Sequence, residues 1–366
     1  MSALKDIYSR EFIENISNSL LESYQLLNKE NFKRDIFAKS WNQLELKQRI
    51  SRIADVIISH LPEKFSEKVN LIRKFIIVLR KNGTQDFNFP HIYLPEIIQK
   101  SGLTHFKQSM DALEIITVFT SAEFAIRHFY LNDFDSTIRQ MQKWSLHKEP
   151  MVRRLSSEGS RPLLPWGIGI PKVKLQPELH LDILENLWND ENEIVRRSVA
   201  NHLNDISKLN PDIAWSFAKN KLGQSEETDK NLRHALRSLL KKGNQEILSS
   251  FSYHTDWKPK SAEIFLQETN IKIGNRLTFK VKILNSKTKP AKLRLEYKIS
   301  FLLSNGKWFK KVFQLGEIMI QSQEVFEKSK SHSFALITTR TYYPGKHFIS
   351  LVINGKEYDE KEFKLK

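Results

Sequence analysis

The sequence contains no cysteine, which excludes disulfide bonds and thiolate chemistry and is compatible with a reducing compartment. It also lacks any apolar run near the roughly 20 residues that a helix needs to cross a bilayer. The segment that begins Met1-Ser2-Ala3-Leu4 does not have the apolar core of a signal peptide. These absences predict a soluble, cytoplasmic protein that does not enter a membrane.

The motifs of several enzyme classes are missing as well. There is no HExxH motif or Cys/His cluster for a metal, no Walker-type phosphate loop and no Gly-x-Ser-x-Gly nucleophile elbow. The pair Gly167 and Gly169 leads into Pro171 rather than into a dinucleotide-binding helix. If the protein is an enzyme, carboxylates and aromatic side chains must carry its chemistry, with no metal and no cofactor.

The charge of the chain is strongly positive and unevenly distributed. The formal net charge of +16 predicts a polyanionic partner, most often nucleic acid, although membranes and acidic proteins also fit. Between Lys258 and Lys366 there are 22 Lys and Arg against 10 Asp and Glu, whereas residues 1–257 hold 36 against 32. With 366 residues, 40% of them apolar, the chain is long enough for two domains with real cores.

One helical phrase occurs twice in the middle of the chain. The triplets Val152–Arg154 and Val195–Arg197 are 43 residues apart, a period typical of stacked helix pairs of the HEAT kind. A weaker echo, Leu232–Ala235, follows 37 residues later. Two copies at this period predict a helical-repeat solenoid in which equivalent residues line up on one surface.

Helical spacing divides the residues of each copy between two faces. In the second copy an apolar stripe is expected to be buried: Val195, Val199, Leu203 and Ile206. The other face carries Arg197, Asn201 and Asp205. The corresponding face of the first copy carries Arg154, Ser157, Glu158 and Arg161. Cations that could hold phosphates therefore lie beside carboxylates, which suggests a surface that grips a backbone around a reactive centre.

The periodicity changes near residue 255. Up to there the pattern is helical, with a helix expected over residues 112–130 and a final one over 231–242. Beyond it, alternating runs at 277–283, 293–299 and 348–352 are separated by turn signals and predict an immunoglobulin-like sandwich. We therefore expect a mainly α protein: a HEAT-like solenoid over residues 1–255, followed by a β-sandwich over 256–366.

Each candidate functional residue also has an ordinary structural explanation. Tandem arginines are most often a solvated helix face. Glu158 and Asp205 could be surface acids paired with Arg154 and Arg197. Glu123 could pair with Arg127 at i+4, and Trp166 could fill a gap between repeats.

Three segments together resemble the AlkC family of DNA alkylation-repair glycosylases, related to AlkD. They are residues 121–127 (SAEFAIR), 152–166 (VRRLSSEGSRPLLPW) and 189–206 (NDENEIVRRSVANHLNDI). Residues 44–47 and 60–62 extend the likeness toward the N-terminus, so that it covers most of residues 1–250.

This resemblance implies a base excision repair enzyme with a HEAT-like solenoid and, in some members, an immunoglobulin-like domain. The family removes cationic methylated bases, chiefly 3-methyladenine and 3-methylcytosine, from duplex DNA without flipping the base out. Its catalytic residues would correspond to Glu123, Glu158, Trp166 and Asp205. The resemblance places Arg154, Arg161 and Arg197 on the DNA. Independently of it, the alignment of repeats adds Asn201 and Arg233 to the DNA-binding residues, and the basic sandwich adds Lys280 and Lys282 as a second contact. We expect a bacterial monomer, associated with the nucleoid through DNA, that needs no metal.

Two other functions fit the same sequence. A HEAT-repeat scaffold that binds nucleic acid or an acidic protein would also be basic and repetitive. The basic sandwich could instead be directed at RNA. Only the enzyme should liberate methylated bases from DNA.

Overall fold

The computed structural model describes residues 4–38, 40–337 and 340–366. By internal contacts the chain divides into two compact units, Met1–Ala235 and Leu236–Lys366. We predicted a domain boundary between residues 255 and 256, and that boundary stays a prediction.

The first unit is built from helices, several of them preceded by a side-chain cap or a proline. Its helices are α1 (Arg10–Ser23), α2 (Lys29–Phe37), α3 (Leu46–His60), α4 (Phe65–Lys81), α5 (Tyr93–Gly102), α6 (Phe106–Phe119), α7 (Ile126–Asn132), α8 (Phe134–Trp144), α9 (Pro150–Gly159), α10 (Pro171–Leu175), α11 (Leu181–Leu187), α12 (Glu193–Leu209), α13 (Pro211–Lys219) and α14 (Glu226–Ala235). Asp133, the N-cap of α8, accepts a hydrogen bond from the Ser136 amide, and Pro150 occupies the first turn of α9. Within the described residues no helix is long and apolar enough to span a bilayer.

The two copies of the repeated phrase form neighbouring helices. They are α9 and α12, which pack against each other, while α12 also packs against α14. All four residues of the predicted apolar stripe on α12 are buried, which confirms that prediction: Val195, Val199, Leu203 and Ile206. Their burial against the adjacent helices supplies the main stabilising contribution of this contact.

The first arginine of each triplet joins one repeat to the next. Arg153 of α9 forms a two-pronged ion pair with Asp190, at 2.6 and 3.0 Å. Arg196 of α12 forms a single ion-pair contact with Glu227, at the start of α14. The repeated phrase thus encodes an inter-repeat ion pair in addition to a buried stripe.

Two helices predicted as continuous are interrupted, and both predictions were wrong. Residues 112–130 break at 120–125: Thr120 has an extended backbone, with φ of −150° and ψ of 145°, and the Phe119 carbonyl accepts from the Asn88 amide at 2.9 Å. The helix expected over 231–242 breaks at Leu236, between α14 and α15. The first break removes Glu123 from a helix and places it in the turn between α6 and α7.

The second unit begins with two short helices and continues as strands. The helices are α15 (Arg237–Lys241) and α16 (Gln245–Ser250). The strands are β1 (Ser261–Leu266), β2 (Asn270–Ile271), β3 (Arg276–Leu284), β4 (Ala291–Leu302), β5 (Trp308–Ile320), β6 (Val325–Ser333), β7 (Gly345–Ile353) and β8 (Lys356–Leu365). All three alternating runs are strands, as predicted.

These strands form two sheets around one core. The first sheet has the order β1-β3-β6 and is antiparallel; the second has the order β2-β8-β7-β4-β5, with only the β2–β8 pair parallel. Alternate residues such as Phe279 and Val281 of β3 and Leu293 and Leu295 of β4 enter a shared apolar cluster. The predicted class, helical first and an immunoglobulin-like β-sandwich second, is confirmed.

Candidate active site

A cleft of about 400 Å³ in the first unit collects residues from three separate stretches of sequence. Its acidic and basic lining residues are Glu123, Arg154, Glu158 and Arg161. Its aromatic lining residues are Phe87, Phe89, Phe124 and Trp166. The predicted site residues Glu123, Glu158 and Trp166 are therefore brought together, and Asp205 is linked to them through Arg161.

The first ionic group of the cleft is Glu123 with Arg154. Arg154 donates from one terminal nitrogen to Oε2 of Glu123 and to Oγ of Ser121, both at 2.9 Å. Ser121 in turn donates to the same carboxylate oxygen. The expected partner Arg127 at i+4 is wrong, because Glu123 lies in a turn rather than on the α7 surface. The Glu123–Arg154 ion pair therefore joins the α6–α7 turn to α9.

The second ionic group is centred on Arg161, between two buried carboxylates. Arg161 Nη1 donates to Glu158 Oε1 at 2.6 Å, and its Nε donates to Asp205 Oδ2 at 2.9 Å. Ser198 donates to the other oxygen of Glu158 at 2.6 Å, and Lys208 donates to Asp205 Oδ1 at 3.0 Å. Glu158 and Asp205 are thus not surface acids paired with Arg154 and Arg197, as the simpler interpretation of the sequence held.

This group is costly to bury unless every charge keeps its partner. Asp205 is fully inaccessible (0% exposed), yet both of its oxygens accept from cations. Burial opposes the charge on Arg161, but the Glu158 charge and the hydrogen bond to Asp205 outweigh it and raise the pKa of Arg161. The guanidinium is therefore a permanent cation held between the two acids.

Trp166 lies at the mouth of the cleft on an irregular loop. Its side chain is 56% exposed and its backbone has φ of 66°, a conformation that residues other than glycine rarely adopt. Lys47 of α3 donates to its carbonyl oxygen. An exposed, strained tryptophan does not fill a gap between repeats, so that interpretation is wrong.

Arg127 holds this loop in place, a role that we did not anticipate. Its guanidinium is almost wholly buried and donates to three carbonyl oxygens: Gly159 at 2.9 Å, Arg161 at 2.8 Å and Ile168 at 2.5 Å. Burial lowers the pKa of Arg127 to about 10, so the side chain remains charged at neutral pH. A Cβ on Gly167 would come within 3.0 Å of Nε, which explains the glycine beside Trp166. The signal in the sequence was an arginine that directly follows Ile126 and precedes Phe129 and Tyr130, three large side chains typical of a core.

The residues predicted to bind DNA have different environments. Arg197 is exposed on α12, whereas Arg161 is buried and engaged by two acids. Asn201 Oδ1 accepts a hydrogen bond from His234 Nε2 at 3.0 Å, and Arg233 is partly buried on α14. Contact of these four residues with DNA stays a prediction, and of the four Arg197 has the most accessible side chain.

The predicted basic face of the sandwich is partly neutralised within the second unit. Lys280 and Lys282 on β3 share Glu327 of β6, at 2.5 and 3.7 Å. Arg294 is buried beside Glu296, and Lys298 pairs with Glu357. Lys307, Lys310 and Lys311 around the start of β5 remain exposed. Lys280 is exposed as well, although it is ion-paired, so the exposed cations lie on both sheets.

Three histidines of the first unit, His91, His180 and His202, are buried. His180 and His202 have ring centroids 5.8 Å apart, and His180 Nε2 is 2.8 Å from the Tyr130 hydroxyl. Burial lowers the pKa of His202 to about 3 and that of His91 to about 4, and it places the pKa of His180 well below its usual range. All three are uncharged in the folded protein at neutral pH.

These histidines predict a loss of stability in mild acid. Below pH about 6.5 the unfolded chain binds protons that the folded chain excludes, so each histidine costs about 1.4 kcal/mol per pH unit. We expect the urea midpoint to fall steeply between pH 6.5 and 5, and less steeply in His202→Gln. A midpoint that is constant over this range would contradict the neutral, buried state of these rings.

The chemistry available to the cleft follows from its side chains. Among the residues that the structure describes, no group of three or more His, Cys, Asp and Glu is arranged to hold a metal. The cleft offers carboxylates, guanidinium groups and an exposed indole. Such a set can stabilise a developing positive charge, orient a water molecule and hold a phosphate.

The comparisons with known proteins identify the family to which the chain is similar. Residues 107–239 match the family model for the DNA alkylation repair enzyme, and residues 260–366 match that for the YhaZ C-terminal Ig-like domain. The chain is 36% identical to the uncharacterised protein YhaZ of Bacillus subtilis, over all of both chains. It is 33% identical to the solved Pseudomonas fluorescens alkylpurine DNA glycosylase AlkC, crystallised bound to DNA with an abasic site analogue, again over all of both chains and with a TM-score of 0.90. The chain therefore belongs to the AlkC family of DNA alkylation-repair glycosylases.

Proposed function

We propose that this protein hydrolyses the N-glycosidic bond of cationic alkylated bases in duplex DNA, chiefly 3-methyladenine and 3-methylcytosine. It would act as a monofunctional glycosylase that begins base excision repair. The observation that carries this proposal is the cleft in which Glu123, Glu158 and Trp166 meet, with Asp205 attached through Arg161. Family membership supports the glycosylase reaction. The carboxylates and the indole of the cleft support a positively charged base as the substrate.

A base methylated at N3 already carries a positive charge, so it leaves with the electrons of the glycosidic bond as a neutral molecule. No strong general acid is needed. The remaining sugar is an oxocarbenium-like cation, which ionised Glu123, Glu158 or Asp205 would stabilise. Water then adds to C1′ and loses a proton, leaving an abasic site. The face of Trp166 would add a cation–π contribution.

The two ionic groups would divide the work. Glu158 and Asp205 are held around Arg161 in a fixed arrangement, as preorganised electrostatic stabilisation requires. Glu123 and Arg154 lie nearer the surface. There Arg154 could release the Glu123 carboxylate and bind a DNA phosphate instead, so that Glu123 becomes available to stabilise the sugar cation. Attack on a lesion that stays in the duplex is consistent with carboxylates lining a surface cleft.

The base-release assay tests this proposal. We expect wild-type protein to liberate 3-methyladenine and 3-methylcytosine faster than 7-methylguanine from methylated duplexes, with one abasic site per base. Chromatography of the released bases measures this directly. DNA binding without any released base would instead favour the non-enzymatic scaffold.

Arg154→Ala should weaken duplex binding for any sequence, because it removes a phosphate contact. We expect the slope of log K against log salt to fall by about one unit. Fluorescence anisotropy between 50 and 200 mM salt measures the slope. Arg139→Ala, which removes an exposed cation of α8 outside the cleft, is the matched control and should leave the slope unchanged. An unaltered slope in Arg154→Ala would place this residue away from phosphate.

We also propose a monomer that is associated with the nucleoid through DNA. In the sandwich, Lys280 and Lys282 would contribute a second contact with the duplex once DNA competes with Glu327. The excess of basic residues after Lys258 supports this arrangement.

A further inference from the structure

The cleft has a second group of exposed aromatic side chains that the proposed mechanism does not use. Phe87 and Phe89 lie on the loop between α4 and α5 and line the same cleft as Trp166. The Phe87 side chain is 47% exposed, an unusual position for so large an apolar group. A side chain this exposed adds little buried apolar area to the core, so the presence of Phe87 in the cleft needs another explanation.

The backbone at Phe87 is strained. Its φ of 58° lies in the left-handed region, where a bulky side chain is a genuine outlier. Trp166, the other exposed aromatic of the cleft, has the same kind of backbone with φ of 66°. Strained residues of this kind persist where the surrounding structure enforces them, and they are concentrated at functional sites. Here two of them project aromatic rings at one cleft.

A planar cation already lies over the Phe87 ring. The guanidinium carbon of Arg154 is 5.4 Å from the ring centroid, while the same guanidinium donates to Glu123. A cation inside the cleft can thus contact the ring face of Phe87 and the carboxylate of Glu123 at the same time. Aromatic faces attract cations through their quadrupole, and the attraction strengthens where water is excluded.

We propose that Phe87 is a substrate-contacting residue whose ring face binds the positively charged lesion nucleotide in place of the Arg154 guanidinium. Phe87 and Trp166 then form an aromatic cage for the charge that Glu123 neutralises. This inference deepens the proposed glycosylase function and rests on it. It assigns to the α4–α5 loop a part in selecting cationic over neutral nucleotides.

Two substitutions separate this role from a structural one. Phe87→Gly removes the ring and relieves the backbone strain, so we expect a thermal midpoint equal to or above that of wild type. It should nevertheless slow single-turnover release of 3-methyladenine by about 3- to 30-fold. Phe87→Leu keeps the apolar bulk and the strain but loses the π face, and it should slow release to a similar extent.

Binding to two abasic duplexes provides a readout independent of excision. One carries a protonated pyrrolidine analogue of the sugar and the other a neutral tetrahydrofuran analogue. We expect wild type to prefer the charged duplex and both Phe87 variants to lose much of that preference. Gln323→Gly, which relieves the same φ of 58° in the second unit outside the cleft, is the control and should retain it.

The outcomes distinguish the two hypotheses. Phe87→Gly that is destabilised but releases base at a normal rate per folded molecule would overturn the inference. Phe87→Leu that behaves as wild type would show that bulk, not the ring face, is required, and would also overturn it. If wild type releases no base, the proposed function fails; the charged-duplex preference then decides on Phe87 alone, and its persistence in both variants would end the inference.

Discussion

Asp205→Asn and Glu123→Gln are expected to bind duplex DNA but to release methylated bases at least about 100-fold more slowly than wild type. Each substitution removes a negative charge while it keeps an oxygen that can accept from Arg161 or Arg154. The binding geometry should therefore survive while the stabilisation of the sugar cation is lost. Single-turnover excision at saturating protein measures the effect.

The control is Glu178→Gln, which neutralises an exposed carboxylate outside the cleft and should release base at the wild-type rate. Thermal unfolding of each variant shows whether the loss of rate reflects chemistry or folding. Near-normal rates for both Asp205→Asn and Glu123→Gln in folded protein would remove the proposed site.

Arg127→Met should destabilise the first unit by about 3–5 kcal/mol. The substitution keeps the apolar stem but leaves the carbonyl oxygens of Gly159, Arg161 and Ile168 without their donor in a buried setting. Each unsatisfied buried acceptor costs about 1–3 kcal/mol. Urea unfolding followed by circular dichroism measures the total.

Arg127→Lys supplies the matched comparison, because an ammonium group retains the charge but cannot match the planar fork of the guanidinium. We expect intermediate stability for this variant. Proteolysis should cut the loop that carries Trp166 faster in both variants, and fastest in Arg127→Met. Unfolding midpoints equal to that of wild type would show that the three carbonyls find other donors.

The helical scaffold could be predicted because its signals are local and repeated. The spacing of Val195, Val199, Leu203 and Ile206 gives the buried face of α12 directly, and the second triplet indicates that the phrase recurs. The strands of the sandwich could be predicted equally well, because alternating apolar residues and turn residues mark where each strand begins and ends. In both units the periodicity of apolar residues determines which side faces the core.

The ion pairs that join separate stretches could not be predicted, because their partners come from distant sequence positions, whereas Arg161–Glu158 and Lys208–Asp205 are only three residues apart. Local i+4 spacing favoured Arg127 for Glu123, yet the observed partner is Arg154, 31 residues away. At the break over 120–125, the Phe119 carbonyl accepts from the Asn88 amide, which belongs to another part of the chain. Tertiary contacts of this kind override helix propensity, and nothing in the run Ile115–Phe119 announces them.

The surface charge of the sandwich shows the same limit. A count of lysines predicts a basic face, but cross-strand neighbours decide which lysines are free. Glu327 lies on β6 beside Lys280 and Lys282 of β3, a proximity that only strand order reveals. Composition thus predicts that the protein binds a polyanion. The order and register of the strands are needed to tell which lysines are free to contact it.

The most direct test of the account is the single-turnover release of 3-methyladenine by wild-type protein from a duplex deuterated at C1′ of the lesion, beside the unlabelled duplex. If carboxylates stabilise an oxocarbenium-like sugar, base and abasic site should form in equal amounts, and the deuterated duplex should react measurably more slowly. Failure to release the base, or equal rates for the two duplexes, would contradict the account.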